Sequence, residues 1–154
     1  MSAVATYAAR VDAVIAQRTR LRGPQPTGDL FDGLPANHPL LNSDPRRPLD
    51  ASLAVIASHV EPDDIVVDAG GGAGRYGLPL ALRCREVVNV DPSAGMLAAF
   101  ETLAQNAGIT NVRTVQSDWL AIEPPRGTVA LVNHVTYLTR DIVTFIRKPH
   151  PRGC

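Results

Sequence analysis

The sequence predicts an α/β fold built on a mostly parallel β-sheet. From residue 65 onward, short apolar segments alternate with segments of helical periodicity, which is typical of β-α-β units. A glycine-rich run, VVDAGGGAGRYG at 66–77, directly follows the first apolar segment, as in strand-to-helix turns that hold a ligand. The chain has 154 residues, of which 45% are hydrophobic and 19% charged, and this composition fits one globular domain.

Charge and cysteine content narrow the function classes. Lys+Arg and Asp+Glu balance at 15 each, so the formal net charge is zero and no global basic field indicates a nucleic-acid partner. Cys84 and Cys154 fit neither a metal-ligand spacing nor a disulfide framework, and we expect Cys84 to be a buried, reduced thiol. No apolar run approaches the roughly 18 residues that span a bilayer. These features predict a cytoplasmic protein with no membrane partner.

The N-terminal part of the chain precedes the alternation. Apolar residues at helical spacing predict an amphipathic helix over 3–20, and a Pro-, Gly-, Asn- and Asp-rich stretch predicts a long irregular connection over 22–48. Asp50 is a candidate N-cap for a second helix over about 51–60. The predicted division is an N-terminal helix with a Pro-rich lid or connection over 1–48, a ligand-binding domain over 49–148 and an irregular tail over 149–154.

Four strands and three helices alternate in the predicted ligand-binding domain. The strands are IVVDA, EVVNVD, NVRTVQSD and TVALVNHV, at 65–69, 86–91, 111–118 and 128–135. The helices are YGLPLALRC, PSAGMLAAFETLAQNAG and TRDIVTFIRK, at 76–84, 92–108 and 139–148. Ser93 stands at the start of the middle helix and Gly108 just past its end. With right-handed crossovers, a ligand binds beyond the carboxyl ends of the strands, where the strand order reverses.

Two fingerprints overlap in the glycine run. Residues 72–77 match the G-x-G-x-x-G pattern, which indicates an NAD-dependent oxidoreductase as one alternative. Residues 68–74, an acid followed by glycines at alternate positions, resemble the first motif of class I S-adenosylmethionine (AdoMet)-dependent methyltransferases. A tight turn without a ligand is the third interpretation, and the chain entropy lost by five glycines disfavours it.

The methyltransferase resemblance implies a Rossmann-like three-layer sandwich with a cofactor site at the strand ends. Glycines let the backbone approach AdoMet, and a carboxylate at the end of the first strand can hold its cationic groups directly or through water. The family places an acid for the ribose after the second strand, and an acid with an aromatic residue for the adenine after the third. Asp118 and Trp119 match that last motif, which the NAD fingerprint lacks. The implied cofactor residues are Asp68, Ala69, Gly70, Gly71, Gly72, Gly74, Asp91, Pro92, Met96, Ser117, Asp118 and Trp119.

Polar residues end the fourth predicted strand, where the family places the methyl acceptor. Asn133 and His134 are the candidate catalytic residues, and His134 is either a general base or a structural histidine. We expect methyl transfer to a small-molecule nucleophile, with no nucleic acid indicated. The alternatives are a catalytically impaired AdoMet-binding remnant, an NAD-dependent oxidoreductase and a non-enzymatic interaction domain.

The resemblance covers roughly residues 50–147, and the family has a larger sheet whose last strand is antiparallel. The chain ends in RKPHPRGC, which continues no pattern. We therefore expect a C-terminally truncated domain with about four strands. An exposed sheet edge and an uncovered apolar face would then favour self-association.

Overall fold

In the part of the chain that the structure describes, four parallel strands form one sheet. The computed structural model describes residues 2–22, 38, 41 and 43–148. The strands are β1 (Ile65–Ala69), β2 (Glu86–Asp91), β3 (Val112–Gln116) and β4 (Val129–Leu131). Their order is β3-β2-β1-β4, so the strand order reverses between β1 and β4. The predicted α/β fold with a parallel sheet of about four strands, preceded by N-terminal helices, is confirmed.

Five helices accompany the sheet in the described part of the chain: α1 (Ala3–Arg22), α2 (Ala51–Ala57), α3 (Gly77–Ala81), α4 (Ala94–Asn106) and α5 (Ile142–Arg147). The predicted caps are present, since the Asp50 side chain accepts from the Leu53 N–H and the Ser93 side chain from the Met96 N–H. The fourth strand is shorter than the predicted 128–135. It ends at Leu131 because the chain then turns, and His134 has a left-handed φ of 56°.

Two apolar clusters cover the two faces of the sheet. Successive residues of a strand point to opposite faces. Val66 and Val87 thus join a cluster with Leu53, Leu78 and Phe100. The second cluster contains Val67, Ala69, Val88, Val90, Trp119 and Phe145. Helices therefore flank the sheet on both sides, and the loops at the carboxyl ends of the strands stay open between them.

The predicted connection over 22–48 and the tail over 149–154 lie largely outside the described residues, and so does Cys154. Cys84 is a buried free thiol, as predicted, and burial raises its pKa. Of the helices in the described ranges, none combines the length and the apolar character that a membrane crossing requires.

Candidate functional site

The carboxyl ends of the strands surround one cavity of about 470 Å³, a volume typical of sites for small ligands and cofactors. Its walls come from the loop after β1, the end of β2, the turn after β3 and the segment after β4. The sheet therefore brings together residues that are far apart in sequence. The predicted site residues on the wall are Gly70, Gly71, Gly72, Asp91, Pro92, Met96, Asp118, Trp119, Asn133 and His134.

The glycine loop, residues 70–74, follows β1, and its residues 70–73 line the cavity. Gly72 has a φ of 54°, which favours glycine over any residue with a side chain. A Cβ on Gly71 would lie 2.5 Å from Asp68 Oδ2 and 2.6 Å from Asn89 Oδ1, so only glycine fits there. The Asn89 Nδ2 donates to the Gly72 carbonyl at 2.8 Å and ties the loop to β2.

Asp91 connects this loop with the start of α4. Its Oδ2 accepts from the Gly72 N–H and its Oδ1 from the Ser93 N–H, both at 2.9 Å. The side chain is buried and still lines the cavity. Because each carboxylate oxygen has further lone pairs, Asp91 can hold the loop and accept from a hydroxyl group in the cavity.

Asp118 and Trp119 form the part of the cavity wall that follows β3. The Asp118 Oδ1 accepts from the Leu120 N–H at 2.8 Å and caps the 3₁₀ turn Trp119–Ala121. The buried indole of Trp119 donates from Nε1 to the Phe145 carbonyl at 3.3 Å, and the two rings lie 6.3 Å apart. Lys148 donates to the Trp119 carbonyl, and its Nζ lies 5.8 Å from the indole centroid.

His134 and Tyr76 also line the cavity and lie close to each other. His134 Nε2 lies 3.4 Å from the Tyr76 hydroxyl, and the ring centroids are 5.9 Å apart. Sequence reasoning missed Tyr76 and Phe145 as lining residues. Tyr76 stands inside the glycine run, so its position was a usable indication, whereas no sequence pattern places Phe145 beside a tryptophan 26 residues earlier.

Helix α1 contacts the segment that follows β4. The Tyr7 hydroxyl donates to the Thr136 carbonyl, and Asp12 forms an ion pair with Arg140 at 3.0 Å. The Arg18 guanidinium lies 5.8 Å from the centroid of the Tyr137 ring. Tyr137 lines the cavity and is partly exposed, so α1 borders the cavity entrance.

Four predicted cofactor residues do not line the cavity: Asp68, Ala69, Gly74 and Ser117. Asp68 is 2% exposed and lies behind the glycine loop, where burial and then the nearby Asp91 charge raise its pKa to about 7. Ala69 belongs to the second apolar cluster, and Gly74 lies against the Phe100 ring. Direct cofactor contact by these residues stays a prediction.

Known proteins resemble this chain over its sheet and cavity. The profile of the methyltransferase domain family matches residues 66–149. The 23S rRNA (uracil(1939)-C(5))-methyltransferase RlmD of Xanthomonas axonopodis pv. citri (strain 306) is 40% identical over 110 residues, which are 60% of this chain and 25% of that protein. The chain thus spans about a quarter of the length of this relative.

Solved structures share the fold at low sequence identity. An rRNA methylase from Streptococcus thermophilus matches with a TM-score of 0.52 and 19% identity, over 67% of this chain and 65% of that one. Precorrin 8w decarboxylase from Methanobacterium thermoautotrophicum matches with a TM-score of 0.55 and 24% identity, over 74% and 66%.

The relatives correct the expected methyl acceptor and disfavour the NAD alternative. The prediction of a small-molecule acceptor with no nucleic-acid partner is wrong, because the curated relatives are named as rRNA methyltransferases. That prediction rested on the formal net charge of zero, which does not describe how charge is distributed locally on the surface. Arg75 lines the cavity, for example, and the Arg18 guanidinium lies 5.8 Å from the ring centroid of Tyr137, which also lines it. The NAD alternative is not favoured, since the matching family consists of methyltransferases.

Proposed function

Since the chain belongs to the methyltransferase domain family, whose methyl donor is S-adenosylmethionine, we propose that it methylates a base of an RNA substrate. The donor follows from the family. The RNA acceptor rests on the 40% identity to an enzyme named as a 23S rRNA methyltransferase. Because the chain spans a quarter of that relative, the position methylated and the RNA itself belong to the proposal.

The cavity suits AdoMet in the chemistry of its donors and acceptors. The Asp91 carboxylate lines the cavity as an acceptor for the ribose hydroxyls, and Asp118 has a carboxylate for the amino group of adenine. Trp119 and Phe145 provide an aromatic surface for the adenine ring. The glycine loop leaves its backbone open to the amino-acid end of the cofactor.

The chain's own residues orient the reactants and handle a proton. When bound, AdoMet would supply an electrophilic methyl group on its sulfonium, to which a nucleophile bonds in line as S-adenosylhomocysteine leaves. Alignment is therefore the main contribution of the protein. His134 and Asn133 line the cavity after β4, and the imidazole of His134 accepts the proton that the base loses at the methylated atom. The Tyr76 hydroxyl lies 3.4 Å from His134 Nε2 and orients the ring.

The entrance to the cavity suits a nucleotide. Tyr137 is 42% exposed, so its ring can stack on an unpaired base. Arg18 lies over this ring, and the Arg75 and Arg140 side chains are 53% and 66% exposed. Arginines in such positions bind phosphates and add a salt-dependent attraction to RNA.

The deciding experiment incubates the protein with methyl-labelled AdoMet and with rRNA and tRNA transcripts. We expect label in RNA. Two arginine variants test the entrance. We expect Arg18→Gln to lower RNA affinity without changing AdoMet affinity. Arg83→Gln is the control, since Arg83 is an exposed arginine three residues before β2, and it should change neither affinity. Cofactor binding without label in any RNA would overturn the proposed acceptor.

A further inference from the structure

Asn89 has a buried carboxamide oxygen that lacks a hydrogen-bond partner. The side chain is 0% exposed, and its Nδ2 donates to the Gly72 carbonyl at 2.8 Å. Among buried side-chain nitrogen and oxygen atoms in the described ranges, Asn89 Oδ1 alone has no partner. Buried polar atoms are nearly always paired, so a donor is expected next to this oxygen.

The Asp68 carboxyl is the group that faces it. Asp68 on β1 is the register partner of Asn89 on β2. Asp68 Oδ2 and Asn89 Oδ1 converge on one point, because they lie 2.5 and 2.6 Å from the position that a Cβ of Gly71 would take. The carboxamide cannot rotate to present its NH₂ group, since its oxygen would then meet the Gly72 carbonyl. A hydrogen bond between the two oxygens therefore requires a proton on Asp68.

The surroundings of Asp68 favour that proton. Its carboxyl is buried, and Asp91 at the end of β2 is the charged group that acts on it; both raise its pKa to about 7. The segments packed beside it, GLPLA of α3 and VAL of β4, have no titratable side chain. No cation from these elements therefore offsets the cost of an ionised Asp68.

We propose that Asp68 is protonated in the cofactor-binding form and donates a hydrogen bond to Asn89 Oδ1, so that the neutral pair positions the glycine loop. The Asn89 amide then holds the Gly72 carbonyl, while Asp91 holds the Gly72 N–H. Asp68 is a positioning residue in this arrangement. Its ionisation places two acceptors against each other and releases the loop. The proposal rests on the proposed function only in that the cavity takes AdoMet.

Asp68→Asn tests the pair, because an asparagine amide donates to Asn89 Oδ1 at every pH. The probe is S-adenosylhomocysteine, and its Kd is measured by calorimetry below and above pH 7 for the wild type and for Asp68→Asn. We expect the wild-type Kd to rise above the Asp68 pKa of about 7, by about tenfold for each pH unit. The variant lacks this rise, and subtracting the two profiles removes the titration of the ligand itself.

A ligand-free measurement separates this inference from the proposed function. The infrared spectrum of the wild type below pH 7 should contain the carbonyl band of a protonated carboxylic acid, and Asp68→Asn should lack it. Absence of the band, parallel pH profiles, or loss of affinity in Asp68→Asn at low pH each overturns the neutral pair. If the band is present and neither protein binds the probe, the neutral pair stands and the cofactor site is refuted.

Discussion

Asp91 accepts a hydrogen bond from the backbone N–H of Gly72 at 2.9 Å, so the acid that ends β2 fixes the loop that follows β1. Asp91→Ala removes this bond and the one to Ser93. Bonds to a charged acceptor contribute about 1.5–3 kcal/mol each. We therefore expect AdoMet affinity to fall by at least about tenfold, measured by calorimetry, together with a lower melting temperature.

The matched control for Asp91→Ala is Asp63→Ala, which removes an exposed acid just before β1. It should leave AdoMet affinity unchanged, because Asp63 does not line the cavity. Equal affinities of the two variants would contradict the role of Asp91.

Asp118 should contribute to adenine binding as well as to its local cap. Asp118→Ala removes the cap on Leu120 and an acceptor on the cavity wall. We expect roughly tenfold weaker AdoMet binding. Asp50→Ala is the control, since it deletes an equivalent cap on Leu53 at α2, outside the cavity wall. A similar loss of affinity in both variants would mean that Asp118 acts through stability alone.

The sequence predicts the sheet better than the site. IVVDA and EVVNVD have the predicted strand bounds because their apolar runs end at turn residues. The place of Asp68 was harder to predict, since alternation along a strand does not say which acid points behind a loop. The contact of Lys148 was harder still to predict, because its hydrogen bond to the Trp119 carbonyl joins residues 29 positions apart and no local sequence pattern encodes it.

Asp68 should also make the free energy of unfolding depend on pH. Its folded pKa of about 7 lies above the usual 3.8, so the native state keeps a proton that the unfolded chain loses. Its contribution is fully present below about pH 4 and is lost as pH rises to about 7. Above pH 7, the free energy of unfolding measured by urea denaturation should be higher for Asp68→Asn than for the wild type. The difference should reach up to roughly 4 kcal/mol, at about 1.4 kcal/mol for each unit by which the pKa of Asp68 is raised.

The comparison between wild type and Asp68→Asn is needed because other acids also make the free energy of unfolding depend on pH, with the opposite sign. The Thr128 hydroxyl and the Glu61 N–H lower the pKa of Asp64 from the usual 3.8. The contribution of Asp64 to the free energy of unfolding is therefore lost as the pH falls through this lowered pKa. A stability difference between the two proteins that stays constant with pH would contradict a raised pKa of Asp68.

His134 should affect methyl transfer more than cofactor binding. His134→Asn removes the imidazole, and asparagine tolerates the φ of 56° at this position. We expect a fall of about 100-fold in the methylation rate and little change in AdoMet affinity. His59→Asn, at an exposed histidine after α2, serves as the control. Equal rates for wild type and His134→Asn would leave His134 a structural residue.

Lys148 should hold the indole of Trp119 against the cofactor. Its ammonium donates to the Trp119 carbonyl and lies 5.8 Å from the ring centroid, an arrangement that contributes about 0.5–1 kcal/mol through the ring alone. Trp119 is the only tryptophan, so fluorescence reports on this contact without labelling. Lys148→Met should change the emission and weaken AdoMet binding by about threefold to tenfold.

Lys148→Arg and Arg147→Met separate the charge of Lys148 from the general effect of altering the end of α5. Arginine keeps a cation and N–H donors, so Lys148→Arg should recover most of the emission and affinity. Arg147 is exposed and should be replaceable without effect. If Lys148→Met retains wild-type emission and affinity, the ammonium does not reach Trp119 in solution, and the indole is held by its Nε1 bond to Phe145 alone.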